Sequence, residues 1–287
     1  MKIMKTTKKL TLGNVLLGIF LIASTVSCNT DETQTVATFS NLVFEDNFDK
    51  DGVIDTDIWN FDIGDGTAQG IPGWGNNELQ YYTDRPENAT VENGYLLITP
   101  RQEEFNGAQY TSARLQTKNN VQQQYGRFEA RIRLPYGQGM WPAFWLLGED
   151  SDGSIWPQIG EIDIMENVGD EPTKIFGTVH GPSYSGAESV SKSYTLENTR
   201  VDTEFHVYGI EWGPDYINFY IDDVLYNQIT PEDIDEETNG EGEWVFNDRP
   251  FYIILNVAVG GNLPGPPNAE TEFPQTMLVD YVRVYKQ

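Results

Sequence analysis

One cysteine, Cys28, in 287 residues excludes any intrachain disulfide, so a folded domain here must hold itself together by its core. Basic side chains are also few. Eighteen Lys and Arg stand against 44 Asp and Glu, a formal net charge of −26. Such a surface repels nucleic acid and anionic membranes, and it disfavours a strongly sulfated polymer unless the cleft carries its own basic patch. A neutral substrate, or a cation such as calcium, suits it better. Long apolar runs are missing after residue 28, and no later segment sustains a capped 3.6-residue apolar period. There is no internal repeat, and no linker after residue 41.

The single apolar run, VLLGIFLIA (15–23), follows Lys2, Lys5, Lys8 and Lys9 and precedes STVSC (24–28). A basic segment before a short apolar one makes a secretory signal, too short for a comfortable membrane span. Removing residues 1–27 takes away four lysines and no acid, which moves the net charge from −26 to about −30. Cys28 stands where cleavage is expected. It is either a chance cysteine or the lipidation site of a lipobox-like STVSC, with Thr25 where Leu is usual. The polar, acidic NTDETQTVATFS (29–40) resembles a flexible tether and the acidic export signal of surface lipoproteins in some Gram-negative bacteria. The expectation is an exported protein, anchored through Cys28 at the outer membrane or cell surface of a Gram-negative bacterium. Residues 28–41 would be tether and 42–287 one folded domain.

Within 42–287 strand patterns dominate. GRFEARIRLP (126–135) alternates Phe128, Ala130, Ile132 and Leu134 against Glu129, Arg131 and Arg133. INFYIDDVLY (217–226), FYIILNVAV (251–259) and DYVRVYK (280–286) are also aromatic and β-branched, bounded by turn formers. Many short strands predict an all-β sandwich of two antiparallel sheets. The acidic PEDIDEETNGEGE (231–243) reads as a solvated loop. Seven Trp, 15 Tyr and 14 Phe exceed ordinary core needs. Tryptophans in GWGNNELQYY (73–82) and GMWPAFWLLG (139–148) stand beside amides and turn residues. Core packing accounts for some; a sugar cleft, where rings stack on pyranose faces, accounts for others.

GEIDIMEN (160–167) concentrates three acids in a strand-like segment. Side chains alternate along a strand, so Glu161 and Asp163 share a face and Glu166 should point away. One extra residue accommodated between 163 and 166, a β-bulge, would bring all three together. Paired carboxyls facing one bond suit glycoside hydrolysis, one protonated and one ionised. The alternatives are an ordinary strand with two acids on a wet face and Glu166 paired elsewhere, or a cation site. The latter lacks the histidines or loop geometry of a catalytic divalent metal.

The E-x-D-x-x-E spacing of GEIDIMEN resembles the signature of glycoside hydrolase family 16 in its bulged, laminarinase form. WGNNELQYYT (74–83), GRFEARIRLP, GMWPAFWLLG, FGTVHGP (176–182), EWGPDYINFYID (211–222), LNVAVGG (255–261) and VDYVRVY (279–285) resemble family blocks in family order. The resemblance implies a concanavalin A-like β-jelly roll of two curved antiparallel sheets, the concave one forming an open cleft. It implies that Glu161 is the nucleophile, Glu166 the acid–base residue and Asp163 the group tuning the nucleophile, with anomeric configuration retained. It further implies sugar contacts from Asn76, Arg114, Trp145, Trp156, His180 and Asn256; His180 could equally be a satisfied histidine tying down a loop. His206 and Trp212 read as structural. No cofactor is implied for catalysis. A structural calcium on the convex side would use carbonyls near Glu45 and Gly94 and the Asp280 carboxylate, although FEDNF (44–48) departs from the usual wording there.

The activity so implied is a monomeric endo-β-1,3-glucanase acting on laminarin-like β-glucan. A mixed-linkage β-1,3-1,4-glucanase, an agarase or a carrageenase is the nearest alternative. A non-catalytic glycan-binding surface lipoprotein is the alternative of another class, and such proteins lose catalytic acids that are all present here.

Overall fold

The alternation of GRFEARIRLP becomes the strand Gly126–Arg133, with Phe128, Ala130 and Ile132 buried and the three arginines turned away from the core. In the computed structural model, which describes residues 39–287 apart from Val53, such strands build two eight-stranded sheets and one of three strands. The first sheet runs Val224–Ile229, Tyr216–Ile221, His206–Gly213, Gly126–Arg133, Met277–Lys286, Tyr95–Ile98 and Ala89–Glu92, with Asn41–Asp46 also on Met277–Lys286. The second runs Val190–Thr195, Lys174–His180, Glu161–Glu166, Met140–Gly148, Phe251–Val259, Arg114–Gln116 and Asn60–Phe61, with Gln122–Gln123 added beside Phe251–Val259. Pairing within both is antiparallel. In the small sheet Gln80–Tyr82 runs parallel to Ala108–Ser112.

The two large sheets form a jelly-roll sandwich around one core. Phe128, Ile132, Ile210 and Val282 come from the first sheet, and Phe144, Leu146, Ile162, Ile164 and Leu255 from the second. Burying each aliphatic side chain contributes about 1.5–3 kcal/mol. Trp212, wholly buried, meets Phe251 edge-on at 5.0 Å, and its Nε1 donates to the Phe246 carbonyl at 2.9 Å. Gly177 lets the sheets approach closely: a Cβ there would lie 2.5 Å from the Tyr226 hydroxyl and 2.7 Å from the Phe219 ring.

Two expectations need correction. The acidic 231–243 run is not a loop throughout, because Pro231–Thr238 is an α-helix. Thr230 caps it, accepting from the Asp233 amide while Asp233 reaches back to the Thr230 N–H, and Asn239 closes it in the left-handed conformation. INFYIDDVLY is not one strand but a hairpin. Asp222 and Asp223 have φ of 47° and 63°, the positive pair a tight two-residue turn requires. His206 packs into the first sheet with Nδ1 2.6 Å from Asp222 Oδ2.

Candidate active site

Gly160 opens the acid strand with φ 74°, where a Cβ would lie 2.9 Å from the Phe251 ring. On one side of the strand Asp163 faces Thr178 and Glu166 faces Phe176, so three steps match two. On the other, Asp163 faces Trp145 and Met165 faces Phe144, leaving Ile164 unmatched. Both neighbours therefore register one extra residue. Ile162, Ile164 and Met165 all enter the core, two of them consecutive, and Glu161, Asp163 and Glu166 share the outward face. The expected bulge is present.

His180, opposite Glu161 in the neighbouring strand, places Nε2 3.0 Å from Asp163 Oδ2 and 3.6 Å from Glu161 Oε1. Burial lowers the imidazole's pKa, but the charges of Glu161, Asp163 and Glu166 outweigh it and raise it to about 10. The Gly186 N–H donates to Nδ1 at 3.1 Å and works against a proton on that nitrogen. Either way Nε2 carries a proton toward the acids. That matters for metals: Glu161, Asp163 and His180 have ligand atoms within 4.8 Å of one another, yet the imidazole presents hydrogen rather than a lone pair.

The Asp163 side chain is only 5% exposed, against 18% for Glu161. Burial first, and then the charges of Glu166 and Glu161, push Asp163 well above the usual carboxylate range. Burial also raises Glu166, opposed by the Trp141 indole N–H, which donates to Glu166 Oε1 at 2.8 Å. Thr178, whose hydroxyl also helps to lower Glu166, shares a hydrogen bond with Ser191 at 2.8 Å. The strand thus holds a carboxyl biased toward its protonated form beside a more open one.

Across Met140–Gly148 the same face continues. Trp145 Nε1 donates to Asn256 Oδ1 at 2.7 Å, and Asn256 Nδ2 donates to the Tyr82 hydroxyl at 3.1 Å. The Arg114 guanidinium lies 4.6 Å from the Trp74 ring and 4.8 Å from that of Trp145, with Nε 2.8 Å from Asp62 Oδ2. Trp156 stands on the other flank, 44% exposed, its ring 6.2 Å from His180. Asn76 belongs to the loop bonded to residues 259–262, where its carbonyl accepts from Asn262 N at 2.8 Å.

Arg114, Trp145, Asn256 and His180 therefore share the face of the acids, with Trp156 and Asn76 in flanking loops. Trp141 was missed, although it shares strand parity with Trp145. Tyr82 and Glu78 were missed inside a quoted block. On the first sheet, Glu45 and Asp280 lie on neighbouring strands and Gly94 in a turn. Arg131 Nη1 is 2.6 Å from Asp280 Oδ2, and Arg283 Nε is 3.5 Å from Glu45 Oε2. This set fits a hard cation only if Arg131 gives up the carboxylate. Cys28 lies outside the described residues.

Comparison with known proteins agrees with this geometry. The model of Glycosyl hydrolases family 16 matches residues 75–283. A beta-glucanase of Rhodothermus marinus is 41% identical over 273 residues, 93% of this chain and 93% of that protein. The laminarinase catalytic domain of Thermotoga maritima superposes with a TM-score of 0.81 at 48% identity, over 86% of this chain and 98% of that one. The endo-beta-1,3-glucanase of Pyrococcus furiosus gives 0.80 at 48%, over 85% and 94%.

Proposed function

The chain belongs to glycosyl hydrolase family 16, and from that premise we propose that it is a retaining endo-β-1,3-glucanase cutting laminarin-like glucans by double displacement. The observation that carries the mechanism is the bulge, which sets Glu161 and Glu166 on one outward face. Glu161 attacks the anomeric carbon, and the glycosidic bond breaks as Glu166 gives its proton to the departing oxygen. Glu166, now a carboxylate, takes a proton from water, whose oxygen displaces Glu161. Two inversions at one carbon retain configuration, and no cofactor takes part.

Burial suits Glu166 to the first role, and the Trp141 N–H suits it to the second by stabilising the carboxylate. Asp163 lies 3.0 Å from His180 Nε2 and tunes Glu161 beside it. Trp145 and Trp156 supply ring faces to the sugars; Arg114, Asn256, Asn76 and His180 supply polar contacts. The test is a product profile on laminarin, curdlan, lichenan, agarose and carrageenan, with NMR of the first anomer formed. Preference for agarose or carrageenan sinks the substrate, a first product of inverted configuration sinks the mechanism, and binding to laminarin without any release favours a glycan-binding lipoprotein.

The proposal extends to residues 1–41: signal 1–27 is removed, Cys28 is lipidated, and 28–41 tethers a monomeric enzyme to the outer membrane or cell surface. Cys28→Ala should move activity from the membrane fraction to the soluble one. Calcium enters only as a structural ion at Glu45, Gly94 and Asp280, in competition with Arg131.

A further inference from the structure

Glu78 has no part in the mechanism above, yet two hydrogen-bond chains end on it. Each chain starts at a group that can only donate. Trp145 Nε1 is such a group, so the Asn256 atom 2.7 Å away is Oδ1, and Nδ2 faces Tyr82. The Tyr82 oxygen accepts there, and its own hydrogen points to Glu78 Oε2 at 3.3 Å. The second chain starts at the Val259 N–H, which donates to Gln80 Oε1 at 2.7 Å and so turns Gln80 Nε2 toward the same Glu78 oxygen, at 2.6 Å. Tyr82 is wholly buried and Gln80 and Asn256 nearly so, which leaves little room for water to stand in for a lost partner.

We propose that Glu78 is a positioning residue for the glucan groove: the terminal acceptor that fixes which way round Asn256 presents its amide and, through it, how the Trp145 ring is held. The inference rests on the functional reading above. With Glu78 as acceptor, Asn256 keeps one Nδ2 hydrogen free of the chain, available to a sugar hydroxyl. Without it, the Tyr82 hydroxyl has no acceptor and turns back on Asn256 as a donor. The amide then flips, and the Trp145 N–H faces an NH2 group.

The test uses the whole chain carrying Glu161→Gln, so that bound β-1,3-gluco-oligosaccharide is not turned over. Calorimetry should show Glu78→Leu weakening binding about tenfold, since the Tyr82 hydroxyl and Gln80 Nε2 both lose their acceptor and Asn256 no longer offers Nδ2 to the sugar. Tyr82→Phe removes the hydroxyl that would turn back, so the Trp145 N–H keeps Asn256 Oδ1 and binding should hold to within about threefold, and adding Tyr82→Phe to Glu78→Leu should relieve most of that variant's loss. Glu78→Gln offers an oxygen to both donors and should restore affinity to within about twofold.

The Trp145 Nε1–H resonance should shift in Glu78→Leu and return in Glu78→Gln and in the double variant. That signal needs no substrate, so it decides the inference even if the unmodified protein neither binds nor cuts β-1,3-glucan, a result that would sink only the functional reading. Unchanged affinity and resonance in Glu78→Leu, a double variant as impaired as Glu78→Leu, or a Glu78→Gln as impaired as Glu78→Leu would each overturn it. If Glu78→Leu does not fold, Glu78→Ala with and without Tyr82→Phe carries the comparison.

Discussion

The two large sheets turn charged faces outward, and they treat their acids in opposite ways. On the first sheet Arg127 sits 2.9 Å from Glu129, 3.2 Å from Glu211 and 2.9 Å from Asp223, while Arg131 holds Asp280 and Arg283 holds Glu45. On the second, Glu161, Asp163 and Glu166 crowd together with one imidazole. Pairing neutralises charge, in the largely buried Arg127 cluster as in the half-exposed pairs of Arg131 and Arg283. Crowding leaves charge uncompensated, and burial and mutual repulsion then lift Asp163 and Glu166. A perturbed cluster of this kind marks chemistry, and the cost in stability is carried by the core beneath it.

The strongest way to break the comparison is to remove one acid from each face. Glu161→Gln and Glu166→Gln should each lower kcat on laminarin by about a thousandfold or more, in the range expected when a nucleophile or a positioned acid is lost. Glu166→Gln should still release a good aryl leaving group in the first step, since that group needs no proton; Glu161→Gln should not. Glu211→Gln removes an acceptor of Arg127 and Tyr220 and should leave kcat within about twofold. An equal loss in all three variants would mean that the faces do not differ in function.

The histidines sharpen the same contrast. His206 faces Asp222, whereas His180 faces two acids of the cluster. A folded pKa of about 10 against an ordinary 6.5 means that folding binds the proton. The stabilisation is complete below 6.5 and is lost as pH rises toward 10. The melting temperature of the unmodified protein should therefore fall toward that of His180→Gln across this window, and kcat of the variant should drop by about a hundredfold. An NMR titration reads the ring directly. A midpoint near 6.5 for His180 would show that the Gly186 N–H at Nδ1 prevails over the acids.

Much of this contrast was legible in the chain. Alternation in GRFEARIRLP and FYIILNVAV located the strands, and counting parity in GEIDIMEN showed that only an inserted residue would gather its acids. The helix at 231–238 was legible too, since Thr230 and Asp233 stand at capping-box spacing, but the acidity of the run masked it. Two consecutive aspartates in INFYIDDVLY marked a turn that the surrounding aromatics concealed. Glu78 and Tyr82 were beyond reach for a different reason. Tyr82 meets Asn256 across 174 residues through a strand in a separate sheet, and periodicity carries no information about a partner so distant.

A smaller effect tests how the acid–base residue is poised. Trp141→Phe keeps the ring and deletes the N–H that donates to Glu166 Oε1. That hydrogen bond favours the ionised carboxylate, so its loss raises the Glu166 pKa further, and the basic limb of kcat/KM should move up by about one pH unit. Because the second step needs the carboxylate as base, kcat near neutrality should fall by about tenfold. A basic limb that stays in place would mean that Glu166 is poised by burial alone.

The smallest effect belongs to the first sheet. Arg131 and Asp280 are 37% and 31% exposed, so their pair is worth at most about 1 kcal/mol, and Asp280→Asn should lower the melting temperature by about 2–4 °C with kcat unchanged. Calcium separates the two uses of that carboxylate. If the ion replaces Arg131 at Asp280, millimolar calcium should raise the melting temperature of the unmodified protein over that measured with a chelator, and Asp280→Asn should lose the response. If calcium stabilises both proteins equally, it binds elsewhere. A fall in kcat in Asp280→Asn as large as that in Trp141→Phe would couple the paired face to the crowded one, and the division between them would no longer hold.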